Sequence, residues 1–341
     1  MNYDVTIGIP FYRSVDTIDQ TLESALSQTY ESIELLLIDD AGGDGSSVKV
    51  QDIIQHHPRG KDVQIISHEL NMGIAASRNE IIDKAQGEFV YFLDSDDVID
   101  ENAISLLMKH ARKHDAEIVF GSYEKVELDG RKTLYQYPYK VFMESDQLAA
   151  FAYRKYGGIQ ASACNYIVKT SLLRTNKHYF LNSNYWEDLV FTFDLVTMVS
   201  RAILLPKVTY SYLCRPNSLS HYQERKNVSK EEIMQTVQII EHLKRCPPHM
   251  IFKSYFPNRC CQIVMTDFYI ACRILKLSNH IMPKVLNTEI KQLMRHPVTF
   301  RHICSFRQSR MKNLFLYIIG KLPPFLCVFA IWCLGKSKKL I

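Results

Sequence analysis

A chain of 341 residues can bury a full core in one sizeable α/β domain with a smaller appendage, so its stability requires no disulfide or metal staple. Its nine cysteines are odd in number and contain no Cys-x-x-Cys pair, which argues against a disulfide framework or a cysteine zinc site and for reduced, core-filling thiols in a cytosolic protein. The formal charge of +5 belongs to the tail: Ile290 to Ile341 hold ten Lys or Arg and no Asp or Glu, and the first 289 residues hold 31 basic and 36 acidic side chains. No nucleic-acid partner is expected, and the opening MNYDVTIGIP carries no charged-then-apolar leader, so no cleaved signal peptide is expected either.

Over the first 125 or so residues, short apolar runs alternate with helical patterns, predicting βα units and a largely parallel sheet. Tyr3 to Ile9 reads as a strand stopped by Pro10, and Asp16 to Gln28 as a helix with Ile18, Leu22, Ala25 and Leu26 on one face. "IELLLIDD" is apolar without alternation, the pattern of a strand buried on both faces. Val63 to Ile66 and Phe89 to Leu93 read as strands, Ile74 to Ala85 as a helix, and Asp100 to His114 as a helix with Asp100 as its cap. Glu117 to Ser122 is a fifth strand, followed by a hairpin around Asp129-Gly130, where sheet building is expected to finish or nearly so. Ser229 and Glu232 have capping-box spacing and open a helical region, with Pro247-Pro248 ending its first helix. This reading divides the chain into an α/β domain over 1–225 and a helical region over 226–341.

Ligands of an open α/β sheet sit beyond the carboxyl ends of its strands. Three such ends carry distinctive polar groups: Pro10-Phe11-Tyr12-Arg13, Asp39-Asp40, and Asp94-Ser95-Asp96-Asp97. All three are expected to open onto one crevice. Two carboxylates about 5 Å apart repel by roughly 3 kcal/mol at an effective dielectric of about 20, so the last cluster calls for a counter-charge. A divalent cation would supply it, and hard oxygen ligands without His or Cys nearby favour Mg²⁺ or Mn²⁺. Alone, an Asp-x-Asp pair is also an ordinary cap or turn.

The stretches "VTIGIPFYR", "LLLIDDAGGDGSS", "NMGIAASRNEIIDKAQGEFVYFLDSDD" and, about ninety residues later, "YWEDLVF" follow one another in the order and spacing of the family 2 glycosyltransferases, and residues 1 to about 220 resemble that family. The resemblance implies a GT-A fold, a nucleotide-binding α/β domain around a mixed, mostly parallel sheet flanked by helices, here with a helical C-terminal appendage. It implies an inverting, metal-dependent transferase that takes a hexosyl or N-acetylhexosaminyl group from a nucleotide sugar, most plainly a UDP-sugar, to a glycan or lipid-linked acceptor in surface polysaccharide synthesis.

By the same resemblance Pro10, Tyr12 and Asp39 cradle the base and ribose of the donor, while Asp40 braces the loop. Asn71 and Arg78 match the N-x-G-x-x-x-A-R-N segment whose arginine lies near the donor, with Gly73 at a tight turn and Ser77 in place of the usual Ala. Asp94 and Asp96 match the metal motif, Asp96 coordinating the cation on the diphosphate and Asp94 reaching the sugar or ribose. Asp188 matches the catalytic base; at a helix N-terminus it is expected to ionise readily. Glu187 orients the acceptor or the base, or is an ordinary first-turn acid. Trp186 stacks on an acceptor sugar or packs in the core. Within "YLCRPNSLSHY", with Asn217 and Leu219 at variance from the family, Arg215 pairs with a phosphate or lies in a surface salt bridge, and His221 is a metal ligand or a merely hydrogen-bonded residue. Arg13 replaces the usual Asn and Ala41-Gly42-Gly43 the common Gly-Ser-Thr, which leaves the base preference open.

The tail "NLFLYIIGKLPPFLCVFAIWCLG" has 13 uninterrupted apolar or small residues from Leu322 to Leu334. A bilayer span needs about 20. With Arg307, Arg310, Lys312, Lys336, Lys338 and Lys339 around it, the segment reads as peripheral, on the cytoplasmic face of an anionic membrane, or as a helix pair packed on the domain. Two rival classes are a non-catalytic nucleotide-sugar-binding scaffold at the membrane and a dinucleotide oxidoreductase. The second is disfavoured because Gly43 and Gly45 lead to Val48 where a third small residue is needed, and two aspartates precede them. A nucleotidyltransferase would need a basic triphosphate loop, which is not evident.

Overall fold

The computed structural model describes residues 3–215 and 228–341, so Asn217, Leu219 and His221 lie outside the described residues. Strands β1 (Tyr3–Phe11), β2 (Ile33–Asp39), β3 (Val63–Ser67) and β4 (Gly87–Phe92) are linked by helices α1 (Ile18–Leu26), α2 (Ser46–His56) and α3 (Ile74–Lys84). They pair in parallel in the order β3-β2-β1-β4. The unalternating run of β2 is buried from Ile33 to Ile38, as a strand covered on both faces requires. Pro10 does not stop β1, which runs on to Phe11. The β1–β4 pairing ends at Gly8–Phe92, so the N–H that Pro10 lacks is not missed by that ladder, while pairing with β2 continues to Phe11–Asp39.

There follow β5 (Val98–Ile99), α4 (Ala103–His114), β6 (Ile118–Val126), β7 (Lys132–Tyr135), β8 (Lys140–Phe142), α5 (Gln147–Lys155), β9 (Tyr166–Lys169), α6 (Thr170–Thr175), α7 (Glu187–Leu195) and β10 (Ala202–Leu213). Asp100 precedes α4 by a turn, its carboxylate accepting from Asn102 N at 3.0 Å. The hairpin at Asp129-Gly130 forms between β6 and β7, but sheet building does not finish there. β9 inserts antiparallel between β4 and β6, and β10 lies parallel to β6, extending the order to β4-β9-β6-β10-β5. Both were obscure in sequence for local reasons. β9 is four residues long, and β10 is broken by Pro206 within a register shift between Leu204 and Val208.

The chain forms two compact units, the first over Met1–Leu148, Ser162–Phe191 and Thr197–Ser218, the second over Ala149–Ala161, Thr192–Val196 and Leu219–Ile341. In the second, α8 (Lys230–Leu243), α9 (Phe256–Lys276), α10 (Asn287–Leu293), α11 (Phe300–Ser305), α12 (Arg310–Lys321) and α13 (Pro324–Ser337) are helical. Ser229 and Glu232 complete the expected capping box at the start of α8. The core of this unit is α9, which buries Phe256, Ile263, Val264, Phe268 and Ile274. Pro323 and Pro324 split the apolar tail into α12 and α13; α13 buries Cys327 and Ile331 yet exposes Phe325, Phe329 and Trp332. No helix among the described residues is long and apolar enough to cross a membrane. None of the nine cysteines forms a disulfide.

Candidate active site

The polar groups at the strand ends of the first unit are held by an interlocked set of loops. Asp40, buried just past β2, accepts from the backbone N–H of Met72 (2.7 Å) and Gly73 (2.9 Å) and from Asn71 Nδ2 (3.0 Å), so it braces the segment after β3 as expected. Gly73 itself has φ 88°, a conformation that side chains disfavour. The fourth partner of Asp40 was not read from the sequence. His68 stands between Asp40 Oδ1, 2.7 Å from Nδ1, and Glu80 Oε2, 2.8 Å from Nε2. Burial opposes protonation of the ring, but the two carboxylates outweigh it and raise the pKa of His68.

The nucleoside-side candidates are open to a ligand. Asp39 accepts from Ser47 Oγ through Oδ2, and Oδ1 has no protein partner among the described residues. Tyr12 is 42% exposed with the Arg13 guanidinium over its ring. Arg13 has φ 48°, a backbone region that Asn tolerates better than Arg. Pro10 is buried in β1 immediately before them.

The four aspartates after β4 have different fates. Asp97 turns inward, accepting from Tyr210 Oη and Leu213 N, and burial pushes its carboxyl far above the ordinary range. Asp94 and Asp96 remain part-exposed. Asp96 pairs with Arg215 Nη2 and is raised, first by burial and then by Asp94. Asp94 Oδ1 accepts from Arg78 Nη2 at 2.6 Å.

Arg78 joins the two acidic motifs. Its other terminal nitrogen, Nη1, donates to Glu187 Oε1 at 2.9 Å, and its guanidinium lies over the Phe180 ring, which stacks on Phe191 at 3.8 Å between centroids. The neighbouring Asn79 holds Phe180 with both halves of its amide, donating to the carbonyl at 2.9 Å and accepting from N–H at 2.7 Å. Sequence reading passed over Asn79. The polar residue closing the motif on a buried helix face was the available signal.

Asp188 follows in the first turn of α7, entered through Trp186 at φ 63°, and its Oδ1 accepts from Leu189 N at 2.7 Å. It does not ionise readily as the helix position alone predicted. Burial, and then the adjacent Glu187 charge, outweigh the helix N-terminus and push its pKa up to about 8. Glu187, buried beside it, is raised by burial although Arg78 opposes the shift. The site thus combines a part-exposed carboxylate pair at a strand end, Asp94 and Asp96, with Glu187, which Arg78 ties to Asp94, and the half-buried Asp188 next to it in sequence. No cluster of three or more His, Cys, Asp or Glu placed to hold a metal occurs among the described residues.

Residues 6–175 match the sequence model of glycosyl transferase family 2. Glycosyltransferase GlyG of Streptococcus pneumoniae serotype 4 is 26% identical over 220 residues, 63% of this chain and 72% of that one. The Escherichia coli UDP-Glc:alpha-D-GlcNAc-diphosphoundecaprenol beta-1,3-glucosyltransferase WfgD is 32% identical over 123 residues, 36% of this chain and 47% of that one. The chain therefore spans under half the length of the second relative. Among solved structures, S. aureus TarS 1–349 in complex with UDP-GlcNAc superposes with a TM-score of 0.66 at 18% identity, covering 93% of this chain and 90% of that one. The mannosyltransferase PcManGT from Pyrobaculum calidifontis, in complex with GDP-Man and Mn²⁺, does so at 0.54 and 15%, covering 94% and 89%. The fold is GT-A, with the mixed, mostly parallel sheet and the helical C-terminal region expected.

Proposed function

Because this chain carries a glycosyl transferase family 2 domain, we propose that it is an inverting glycosyltransferase of surface polysaccharide synthesis, moving a hexosyl or N-acetylhexosaminyl group from a UDP-sugar to a hydroxyl of a glycan or lipid-linked acceptor. The observation that carries the reading is the Arg78 bridge from Asp94 to Glu187, which joins one acid of the strand-end motif and one of the helix-borne motif through a single buried cation. UDP-GlcNAc bound to TarS and the UDP-Glc donor named for WfgD support the donor class.

In this reading Pro10, Tyr12 and Asp39 receive the nucleoside, the open Asp39 Oδ1 accepting from a base N–H or ribose hydroxyl. Asp188 takes the proton of the acceptor hydroxyl as its oxygen attacks the anomeric carbon, and the bond to the nucleoside diphosphate breaks on the opposite face. Glu187, held by Arg78, fixes the position of Asp188. A pKa near neutrality suits a general base, since it is basic enough to accept the proton and still deprotonated in a useful fraction.

The donor set fits a hard cation. Asp94 and Asp96 offer carboxylate oxygens at the open rim without nitrogen or sulfur ligands, and two acidic ligands leave room for phosphate and water oxygens. Mn²⁺ or Mg²⁺ held there would neutralise the charge of the departing diphosphate. In this reading Arg215, now on Asp96, pairs with that diphosphate when the donor binds.

The reading extends to membrane contact through the second unit. Its α12 and α13 expose Phe315, Ile318, Phe325, Phe329 and Trp332 beside Arg310, Lys312, Lys321 and Lys336, a composition that suits an anionic cytoplasmic leaflet. A screen of nucleotide sugars for Mn²⁺-dependent thermal stabilisation and slow donor hydrolysis tests the reading. Hydrolysis of one UDP-sugar, lost in Asp188→Asn while the stabilisation persists, is expected. Stabilisation without hydrolysis in the wild type would favour the scaffold instead.

A further inference from the structure

A cavity of about 830 Å³ in the second unit has no part in the reaction proposed above. Three helix C-termini meet there: the end of α8 with Lys244 and Arg245, the last turn of α10 with Lys291 followed by Arg295, and the end of α12 with Lys321. His296 and His302 also line it, and no lining residue is acidic. One wall is fixed by close contact, since a Cβ on Gly320 of α12 would stand 2.3 Å from the Met294 carbonyl oxygen. The lining also includes the apolar side chains of Ile251, Met294 and Val298 with Tyr317, and the uncharged polar Thr288, Gln292 and Thr299.

Cations are common at helix C-termini, where each end carries roughly half a negative charge, so their presence singly means little. Their sum means more. Lys244 is neutralised by Asp267 at 2.8 Å and Glu241 at 2.6 Å, and Arg295 by the same Glu241 at 2.5 Å. Arg245, Lys291 and Lys321 make no ion pair among the described residues; Lys321 only lies over the Tyr317 ring. Three unpaired charges against three half-charges leave a surplus of roughly one and a half, close to the charge of one phosphoryl group at neutral pH.

We infer that this cavity binds a phosphoryl group, free or as the headgroup of an amphiphile whose apolar part lies on the Met294, Val298 and Tyr317 side. Lysine and arginine supply point-charge and forked donors of the kind phosphate oxygens accept, and the apolar half of the lining favours a ligand with a hydrocarbon portion over a fully hydrated ion.

The test is a titration of the full chain, without divalent cations, with inorganic pyrophosphate, with dihexanoyl phosphatidic acid below its micellar concentration, and with dihexanoyl phosphatidylcholine as the zwitterionic control. The same titrations are run on Lys291→Ala/Lys321→Ala, two lysines that make no ion pair among the described residues. Saturable binding of pyrophosphate or phosphatidic acid that weakens at least about tenfold in the double variant, with the melting temperature retained, is expected. Pyrophosphate binding as tightly as phosphatidic acid assigns a soluble phosphate ester; phosphatidic acid binding at least about tenfold more tightly assigns a lipid headgroup. No saturable binding by the wild type, or equal binding by the variant, overturns the inference. Equal binding of phosphatidylcholine would show an apolar groove only, and would also overturn it. Asp188→Asn, which disables the proposed base in the other unit, is expected to bind as the wild type does, so failure here is distinct from failure of the transferase reading.

Discussion

Arg78 Nη1 donates to Glu187 Oε1 at 2.9 Å, closing a contact between residues 109 positions apart. The side chains are 4% and 8% exposed, so neither charge is solvated by much water if the other is removed. Breaking a buried pair by deleting one partner costs more than the pair itself contributes, about 3–5 kcal/mol, and Asp94 loses its partner in the same step. Arg78→Ala is expected near the low end of that range, because Asp94 is 31% exposed and partly hydrated. Urea denaturation checks the loss of stability, and donor hydrolysis in the surviving folded fraction is expected to fall by at least about a hundredfold. Arg78→Lys, which cannot reach both carboxylates with a planar fork, should recover stability better than activity.

The raised pKa of Asp188 makes a signed prediction. The folded chain holds this proton more tightly than the unfolded chain, since the pKa moves from 3.8 to about 8. Its contribution to stability is therefore full below about pH 4 and is lost as pH rises through about 8. Asp188→Asn, which imitates the protonated form, should gain on the wild type in melting temperature between pH 5 and 9. Subtracting the two curves removes Asp96 and Asp97, which are shifted in the same direction, and leaves the titration of Asp188 together with its neighbour Glu187. Donor hydrolysis should rise with pH and level off above about 8. A plateau already reached at pH 5 would remove Asp188 as the base.

Asp40 is the brace on which the loop after β3 depends. Its carboxylate serves two backbone N–H groups, an amide and His68, and a hydrogen bond to a charged group is worth about 1.5–3 kcal/mol. Asp40→Ala should lower stability by roughly 2–4 kcal/mol, given partial relaxation. Hydrogen exchange at Met72 and Gly73 should accelerate far more than at the β1–β2 ladder. Uniform acceleration would mean that the brace is not local.

Much of this was legible beforehand, and the reasons differ by residue. The parallel half of the sheet announced itself because buried strands such as β2 are long and apolar; β9, four residues between two longer partners, has too little sequence to show a period. Asp40 could be assigned to the loop because it sits one step beyond the last ladder pair. The inward turn of Asp97 could not be foreseen, since its partner Tyr210 comes from a strand whose pairing partners lie far away in sequence. The Asp188 shift depends on burial together with Glu187, and burial is a property of the assembled fold. Helix position alone gave the wrong sign.

Asp96 offers a test of the cation. If Asp94 and Asp96 hold Mn²⁺ or Mg²⁺ against the donor diphosphate, UDP should raise the melting temperature of the wild type more with Mn²⁺ than with a chelator. Asp96→Asn should abolish that difference. Arg215→Ala, which frees Asp96 of its present partner, should preserve the Mn²⁺ dependence while weakening UDP. Metal-independent UDP stabilisation in the wild type would assign the diphosphate to Arg215 alone.

The exposed face of α13 is the part of the molecule that a soluble assay would overlook. Phe329 and Trp332 are 55% and 41% exposed and stack at 6.3 Å between ring centroids, with Lys336 Nζ 4.4 Å from the Trp332 ring. Water gains nothing from two such rings, whereas full burial of a large apolar side chain contributes about 1.5–3 kcal/mol. Phe329→Glu/Trp332→Glu removes both and adds charge that an anionic surface repels. The variant should therefore sediment with phosphatidylglycerol vesicles at least about a hundredfold less well than the wild type, yet hydrolyse a soluble donor at the same rate. Because the flanking cations act through a screened field, wild-type binding should also weaken between 0.05 and 0.5 M salt, with a residue left by the rings. Wild-type chain that stays in the supernatant at low salt would reassign this face to a protein partner.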